Sequence, residues 1–251
     1  ERLSNYLEEY GRLLFHKWFI DFNFLNDNGE SYKDNNGEMV SVDGKQIPKD
    51  WSRVSLSEFI ERTSNGDWGQ EESLEGAVGT YCIRGADMPN IAQGKISNTP
   101  LRYVKGSKDR KKELKHGNIV IEASGGSPTQ STGRSVLIRN SILDRLDKPL
   151  YFSNFSKVII PKENYSMFIF YLLDNFYHTG LFFHHEGKTS GLKNLLLNNM
   201  LNMVKFASPN IKLLKMFEIE TGILSDRIFN LGYENELLEE KRNLLIHKLI
   251  Q

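Results

Sequence analysis

The chain has 251 residues and a mass of 28.9 kDa, and its 39% hydrophobic content is enough to bury one substantial core. Lys plus Arg number 32 and Asp plus Glu number 32, so the formal net charge is zero. No run of about eighteen apolar residues exists that could cross a membrane, and the acidic N-terminus lacks the features of a secretory signal. Cys82 is the only cysteine, which excludes an internal disulfide and cysteine-rich zinc scaffolds and favours a reducing compartment. Because the chain begins with Glu1 rather than Met, we expect a longer parent protein.

The charge is distributed unevenly along the chain. Residues 1–80 carry 8 basic and 16 acidic side chains, residues 81–207 carry 18 and 9, and residues 208–251 carry 6 and 7. The middle segment is therefore +9 (18 − 9) and the first is −8 (8 − 16). Because phosphate contacts are local, such a basic block can bind a polyanion although the whole chain is neutral. The cations are densest at residues 105–115, where nucleic-acid contact and a solvated surface loop are equally good interpretations.

The first two-thirds of the chain predict a short helix, a linker and a mixed domain. In residues 1–20, Leu3, Leu7, Tyr10 and Leu14 follow the spacing of a helix that packs on another helix. Residues 21–50 are rich in Asn, Asp and Gly, which is typical of a linker. Residues 51–207 contain short apolar runs divided by Gly and Pro, as in a β-rich domain. The predicted strands are Ser52–Ile60, Tyr81–Ile83, Leu101–Val104, Asn118–Glu122, Arg134–Arg139 and Lys157–Ile160, and the predicted helices are Ser166–Tyr177 and Gly191–Asn202.

Residues 208–251 predict one long helix, with Ser208 as N-cap and Pro209 at the first helical position. Apolar residues then recur at alternating steps of three and four, which favours a coiled coil over a helix lying on the domain. At about 1.5 Å per residue this helix extends roughly 60 Å, against about 27 Å for the first helix. The sequence thus predicts an α+β fold with one mixed, β-rich domain, a short N-terminal helix and a long C-terminal coiled-coil helix. The predicted interface residues are Leu3, Leu7, Leu14, Leu214, Phe217, Leu224, Ile228, Leu231, Leu238, Leu245 and Leu249.

The sequence carries none of the common catalytic signatures. It contains no Gly-x-Gly-x-x-Gly, no phosphate-binding Gly-x-x-x-x-Gly-Lys-Ser/Thr loop, no His-Glu-x-x-His and no Pro-Pro pair. His178, His184 and His185 lie near Glu186 and are metal-ligand types, but their spacing does not place them on one face. We therefore predict no catalytic and no metal-binding residues in this chain.

Two segments have the composition of backbone that faces a ligand. Ser124–Arg134 combines small residues and hydroxyls with Gln130 and Arg134, side chains that read adenine and guanine edges. A long flexible hairpin is the alternative. Glu186–Asn194 places Lys188 and Lys193 before a predicted helix, which suggests a phosphate site at the helix N-terminus. The predicted DNA-contacting residues are Arg84, Lys105, Lys108, Lys111, Lys112, Ser124, Gly125, Gly126, Ser127, Thr129, Gln130, Ser131, Thr132, Arg134, Lys188, Thr189, Ser190, Lys193 and Asn194.

Several motifs, in this order, resemble the specificity subunits of type I restriction-modification systems across essentially the whole chain. LFHKWFIDF at 14–22, followed by IPKDW at 47–51, resembles the connection from the central conserved helix into the second recognition domain. GNIVIE at 117–122, with the Gly-rich segment that follows it, is similar to a recurring strand and loop of that domain. TSGLKNL at 189–195 resembles a late Gly-x-Lys-Asn element, and ELLEEKRNLL at 236–245 resembles the closing helix.

The resemblance implies a non-catalytic, cytoplasmic subunit of a prokaryotic defence system that directs adenine methylation and restriction. Members carry two target recognition domains, each reading one half of a split DNA site, held apart by two long helices that form a coiled coil. Those helices dock modification subunits, which bind S-adenosylmethionine, while a motor subunit uses ATP and Mg²⁺; this chain itself is expected to bind no cofactor. It departs from the family in having one recognition domain, at 51–207, flanked by a helix at 1–20, a linker at 21–50 and a helix at 208–251. It is therefore either half of a full subunit or a half-subunit that dimerises through its C-terminal helix.

Two interpretations from other functional classes stay open. The chain could be a metal-dependent nuclease with an unrecognised site, or a coiled-coil interaction protein whose basic domain binds RNA or an acidic protein. The base sequence that it reads cannot be predicted, because that depends on side-chain placement across several loops.

Overall fold

The computed structural model describes residues 2–26, 28–105, 112–125, 127, 129–189 and 192–250. Its helices are α1 (Arg2–Phe15), α2 (Met88–Ala92), α3 (Asn140–Leu143), α4 (Ser166–His178), α5 (Leu197–Met203) and α6 (Ile211–Ile250). Its strands are β1 (Met39–Val42), β2 (Lys45–Pro48), β3 (Ser52–Ser55), β4 (Ile60–Asn65), β5 (Ala77–Ile83), β6 (Leu101–Lys105), β7 (Ile119–Glu122), β8 (Ser124–Gly125), β9 (Ser135–Leu137), β10 (Leu150–Phe152), β11 (Ser156–Pro161), β12 (Glu186–Thr189), β13 (Leu192–Leu195) and β14 (Lys205–Ser208). The predicted α+β fold, with a short first helix and a long last one, is confirmed.

A four-stranded sheet in the order β4-β11-β7-β9 separates two hydrophobic cores. Successive side chains of a strand point to opposite faces. In β7, Ile119 and Ile121 therefore join one core and Val120 joins the other, and all three are fully buried. Burial on both faces explains why β7 is an uninterrupted apolar run rather than an alternating one.

The remaining strands form smaller sheets around this centre. β10, β5 and β6 form one sheet, in which β10 runs parallel to β5. β14 pairs with β3, and β1 pairs with β2. β12, β13 and β8 form a three-stranded antiparallel sheet, which we call the site sheet.

Aromatic residues hold α1, α4 and α6 together in the first core. The ring of Phe19, just after α1, lies 4.9 Å from those of Phe168 and Phe217, and Phe15 packs on the same cluster. Full burial of each such side chain contributes about 1.5–3 kcal/mol. This cluster fixes the position of the two terminal helices relative to the sheet.

The predicted contact face of α1 is offset from the observed one. Leu3 and Tyr10 are exposed, whereas Ser4, Gly11 and Phe15 are buried. The helix packs on α4 as well as on α6, which turns its buried face toward both. Gly11 permits this approach, because any side chain there would overlap the ring of Tyr171.

Residues 21–50 were predicted to be a linker, but they contain regular secondary structure and buried side chains. They include the β1–β2 hairpin, and Phe24 and Ile47 are buried in the first core. Phe24 stacks on Trp51 with ring centroids 5.3 Å apart. The polar composition of the segment reflects its turns and conceals these apolar anchors.

α6 begins two residues later than predicted. β14 extends through Ser208, and Asn210 caps the helix, since its Oδ1 accepts a hydrogen bond from the Leu213 amide at 2.8 Å. The first half of α6 packs on the domain, with Leu214, Phe217 and Ile228 buried. Leu224 and Leu231 are half-buried, but residues 237–250 are exposed throughout.

Two further predictions need correction. The predicted strand Ser52–Ile60 is interrupted by a 3₁₀ turn at Leu56–Phe59 between β3 and β4. From Leu192 onward, the predicted helix Gly191–Asn202 is instead β13 followed by α5, because Leu192–Leu195 pairs with β12 and β8. Among the described residues, no helix has both the length and the apolar character of a membrane span.

Candidate nucleic-acid interface

The Gly-rich loop (Ser124–Arg134), which connects β7 to β9, is closed at its base by a buried ion pair. The Arg134 guanidinium donates to both oxygens of Glu122, each at 2.9 Å, and the Glu122 side chain is 7% exposed. This hydrogen bond raises the pKa of Arg134 above its usual value. Gly125 lies against the same carboxylate with φ +140°, where a Cβ would be 2.9 Å from Glu122 Oε1. The predicted loop thus begins from a rigid base rather than a flexible hairpin.

The site sheet joins the two segments that the sequence singled out. β8, from the Gly-rich loop, pairs with β13, so that Ser124 lies opposite Asn194 and Gly125 opposite Lys193. Ser124 Oγ donates to Asn194 Oδ1 at 2.5 Å, across 70 positions of sequence. The two predicted ligand-facing segments are therefore one surface.

The two faces of the site sheet differ in character. Leu195 is buried, so Lys193, two residues earlier, and Glu186, directly opposite Leu195, also point inward. Ser124 and Asn194 lie on the outer face, beside Leu192, which is exposed. Small polar side chains on this outer face leave room for a ligand to approach the backbone.

The tip of the Gly-rich loop presents Thr129 and Gln130 to solvent. Both are exposed, whereas the side chains of Ser131 and Thr132 face the interior. Ser127 Oγ accepts from the Gln130 amide at 3.1 Å, and Gln130 Nε2 donates to the Tyr177 hydroxyl at 3.2 Å. The first bond fixes the turn, and the second holds the exposed Gln130 amide against Tyr177 of α4.

Lys193 is held by three partners at the inner face of the site sheet. Its Nζ lies 3.1 Å from Glu186 Oε2, donates to the Gln130 carbonyl at 3.3 Å and sits 4.6 Å from the centre of the Phe183 ring. The Lys193 side chain is only 16% exposed. Lys193 therefore organises the loop in this arrangement more than it projects toward a ligand.

Other predicted contacts surround this surface. Arg84 is exposed and donates a hydrogen bond to Asp87. The next residue, Gly85, lies against Glu122, so Arg84 is close to the Glu122–Arg134 ion pair at the base of the Gly-rich loop. Lys105 is exposed at the end of β6, and Lys112 pairs with Asp67 at 3.3 Å. Predictions for Lys108, Lys111, Gly126 and Ser190 lie outside the described residues, and Lys188 and Thr189 are described only as backbone of β12.

The uneven charge of the sequence is partly matched by ion pairs between segments. Cations of residues 81–207 bind acids of the first segment in the pairs Arg102–Glu71, Lys112–Asp67 and Lys205–Asp43. Others bind acids of α6, in the pairs Lys95–Glu239 and Arg139–Asp226. The excess of +9 therefore overstates the positive charge that the domain can offer to a polyanion.

The phosphate site predicted at a helix N-terminus is wrong in its local structure. Lys193 lies within β13, and α5 begins only at Leu197. The sequence analysis did not predict a role for Glu186, the only acidic residue of the segment Glu186–Asn194, although an acid beside lysines can form an ion pair. His178 Nδ1 lies 3.5 Å from Asp174 Oδ1, and no group of three or more His, Cys, Asp or Glu side chains among the described residues could hold a metal ion.

Neither a family model nor a curated protein matches the chain. Several solved structures are similar to it, among them the following three. The HsdS subunit from Thermoanaerobacter tengcongensis has 10% identity over 92% of this chain and 46% of that chain, with a TM-score of 0.41. The type I restriction-modification S subunit from M. genitalium has 14% identity over 100% and 55%, with a TM-score of 0.43. A chain from a study of complex assembly and conformational transition in the type I system has 13% identity over 95% and 50%, with a TM-score of 0.44. This chain spans about half the length of each.

Proposed function

We propose that this chain is the DNA-recognition part of a type I restriction-modification specificity subunit and that it binds one half of a bipartite duplex site. The observation that carries the proposal is the convergence of the Gly-rich loop and the β12–β13 hairpin on one sheet. These are the two segments whose motifs resemble the family's recognition-domain elements. Their order in the sequence does not require them to touch, so the contact between them is independent support.

The chemistry of this surface suits a DNA duplex. The exposed Gln130 amide offers a donor and an acceptor side by side, the pattern that pairs with adenine in the major groove. The Arg84 guanidinium, exposed beside the loop base, can bind guanine or a phosphate. Ser124 and Asn194 supply further polar groups on the outer face of the site sheet.

The helical part of the chain provides the attachment to partner subunits. α1 runs antiparallel to the first half of α6. The end of α1 is near the start of α6, because Phe15 packs on Phe217. Earlier in α1, Glu8 accepts a hydrogen bond from Gln93, and the carbonyl of Gln93 lies against Gly232, further along α6. Modification subunits dock on these helices, bind S-adenosylmethionine and methylate adenine, and the motor subunit supplies ATP-dependent, Mg²⁺-dependent restriction. The chain itself positions these activities in the cytoplasm of a prokaryote and catalyses neither.

The exposed half of α6 is the proposed dimer contact. Leu238, Leu245 and Leu249 continue the apolar spacing of the buried half and are 62%, 61% and 84% exposed. A second copy packed antiparallel would cover them and would place two identical recognition surfaces at opposite ends of the paired helices. Such a dimer reads an inverted repeat whose half-sites are on the order of one to two helical turns apart.

Fluorescence anisotropy with a labelled pool of random-sequence duplexes, in the presence and absence of the modification subunit, tests the proposal. We expect salt-dependent binding by the isolated chain, with log K falling by about 0.9 per phosphate contact for each unit of log salt. Selection and sequencing from the pool should then enrich one motif, bound at least about tenfold more tightly than the unselected pool. Metal-dependent cleavage by the isolated chain would favour a nuclease instead. Preference for single-stranded RNA, with no enriched duplex motif, would favour the RNA-binding alternative.

A further inference from the structure

Glu186 joins the two halves of the candidate interface with a single carboxylate. Its Oε1 accepts from the Thr132 amide at 2.6 Å and from the Thr132 hydroxyl at 2.9 Å. Its Oε2 lies 3.1 Å from Lys193 Nζ, and the side chain is 6% exposed. The Gly-rich loop and the β12–β13 hairpin are therefore bound to the same buried charge.

The same carboxylate acts on the exposed tip through Lys193. The Lys193 ammonium is paired with Glu186, and it also donates a hydrogen bond to the backbone carbonyl of Gln130. The backbone of Gln130 is thus held at two points. Lys193 binds its carbonyl oxygen directly, and Glu186 binds Thr132, which lies two residues later in the chain. These contacts fix the backbone from which the Gln130 side chain extends, and the bond from Gln130 Nε2 to the Tyr177 hydroxyl holds the side chain itself.

Physical chemistry makes this arrangement rigid rather than incidental. A buried carboxylate is stable only when charged and hydrogen-bonded partners replace its lost water, and here Thr132 and Lys193 do so. Hydrogen bonds to ionised groups are shorter and stronger than neutral ones. Loss of Lys193 would leave a buried charge uncompensated, and loss of the Thr132 bonds would leave a buried oxygen without a donor. The network therefore favours one conformation of the loop.

We propose that Glu186 is a positioning residue for base recognition, one that fixes the Gly-rich loop so that Gln130 meets a base edge in a single geometry. The inference rests on the proposed DNA-recognition function. Base readout needs side chains held in register, whereas nonspecific binding needs only positive charge near phosphates. Glu186 therefore controls discrimination between duplexes more than overall affinity.

The test compares Glu186→Gln with the wild-type protein on two duplexes, one carrying the motif selected by the wild-type chain and one carrying its scrambled sequence. The variant should bind the selected duplex about ten- to a hundredfold more weakly, by analogy with the loss of one or two aligned contacts. It should bind the scrambled duplex at least as well as wild type, because one negative charge is gone and Lys193 is released. Glu61→Gln, which removes an exposed charge on β4, is the matched control and should leave both affinities within about twofold.

Two further measurements separate positioning from a general structural role. The Thr132 amide should lose protection from hydrogen exchange in Glu186→Gln while amides of β7 keep theirs. Thr132→Val, which removes only the hydroxyl bond, should weaken selected-duplex binding in the same direction by a smaller factor. Unchanged discrimination in Glu186→Gln would overturn the inference alone, and so would equal weakening on both duplexes. A wild-type chain that binds no duplex would overturn the proposed function, and the inference with it.

Discussion

The two halves of α6 carry the same apolar spacing but lie in opposite environments. In the first half, Phe217, Thr221 and Ile228 are buried against α1 and the domain. In the second half, Leu238 and Leu245 are more than half exposed although they continue the same steps of three and four. The difference shows that a heptad pattern predicts that a helix has a partner, and leaves open whether that partner lies within the chain.

The boundary between the halves is set by the elements that cover the helix. At Gly232 the turn at Gln93 and Gly94 lies against the backbone of α6. One turn further, Glu236 accepts from the amide and hydroxyl of Ser97, and Glu239 pairs with Lys95. These are polar contacts at the domain edge. Beyond them the helix extends away from the domain.

The largest effect expected from this comparison comes from the aromatic cluster under the first half. Phe217→Ala should lower the free energy of unfolding by about 3–5 kcal/mol, since it removes a fully buried ring and leaves a cavity. Urea denaturation followed by circular dichroism measures the loss. A loss below about 1 kcal/mol would mean that α6 is not anchored as the structure describes.

A second, smaller effect concerns the close approach at the boundary. Gly232→Ala adds a Cβ that would overlap the carbonyl oxygen of Gln93, and backbone cannot move aside as a side chain can. Overpacking lowers the free energy of unfolding by about 1–3 kcal/mol, whereas the higher helix propensity of Ala relative to Gly raises it by about 1 kcal/mol. We expect a net loss of up to about 2 kcal/mol.

Gly222→Ala is the matched control in the same helix. Its Cβ would lie 3.1 Å from Arg139 Nη2, a contact that a shift of a few tenths of an ångström in one side chain relieves, so the propensity gain and this small displacement roughly cancel. Melting temperatures of the two variants give the comparison directly. A Gly232→Ala protein as stable as Gly222→Ala would contradict the close helix–turn packing.

The sequence predicted the helices α1, α4 and α6 and the central strands β7 and β11 well, because their signals are local. α4 and the sheet strands β7 and β11 follow from apolar runs bounded by Gly or Pro. The segment 191–202 was misassigned because Leu192–Leu195 forms a strand only through its pairing with β12 and β8. The anchors Phe24 and Ile47 were hidden by the polar turns around them.

For the candidate interface, the sequence identified the correct segments but not the roles of their side chains. Composition cannot show that the Thr132 hydroxyl points inward while Gln130, two residues earlier, points outward. Nor can it show that Lys193 is paired with Glu186, because that contact depends on the register in which β13 pairs with β12. The contacts predicted for individual residues stay predictions.

A third effect, of about 1 kcal/mol, concerns the polar contact that binds the first half of α6 to the domain. Arg139 Nη2 lies 2.7 Å from Asp226 Oδ2, and Ser141 Oγ donates to Oδ1 at 2.8 Å. Burial alone would raise the pKa of Asp226, but the hydrogen bonds from Arg139 and Ser141 outweigh it and hold the pKa below its usual value. Asp226→Asn should therefore destabilise the protein at neutral pH.

The pH dependence of that effect follows from its sign. Because the folded-state pKa of Asp226 is depressed, its stabilisation is present above the unfolded-state pKa of about 4 and is lost as the pH falls through the folded-state pKa. The difference in unfolding free energy between wild type and Asp226→Asn should narrow below about pH 4. Glu240→Gln, which removes an exposed carboxylate in the second half of α6, is the matched control. A gap that widens on acidification would refute the assignment.

The smallest effect on stability is expected in the exposed half, where assembly should change instead. Leu238→Asp combined with Leu245→Asp should alter the unfolding free energy of the monomer by less than about 0.5 kcal/mol, because both side chains are already solvated. In a dimer each buried Leu would contribute about 1.5–3 kcal/mol, so the same variant should lose self-association. Sedimentation equilibrium across a range of concentrations measures this, with Asn243→Asp as an off-seam control in the same half. Since the seam is unpaired within the described chain, a wild-type monomer at high micromolar concentration would mean that a different chain, or a further part of a longer subunit, covers it.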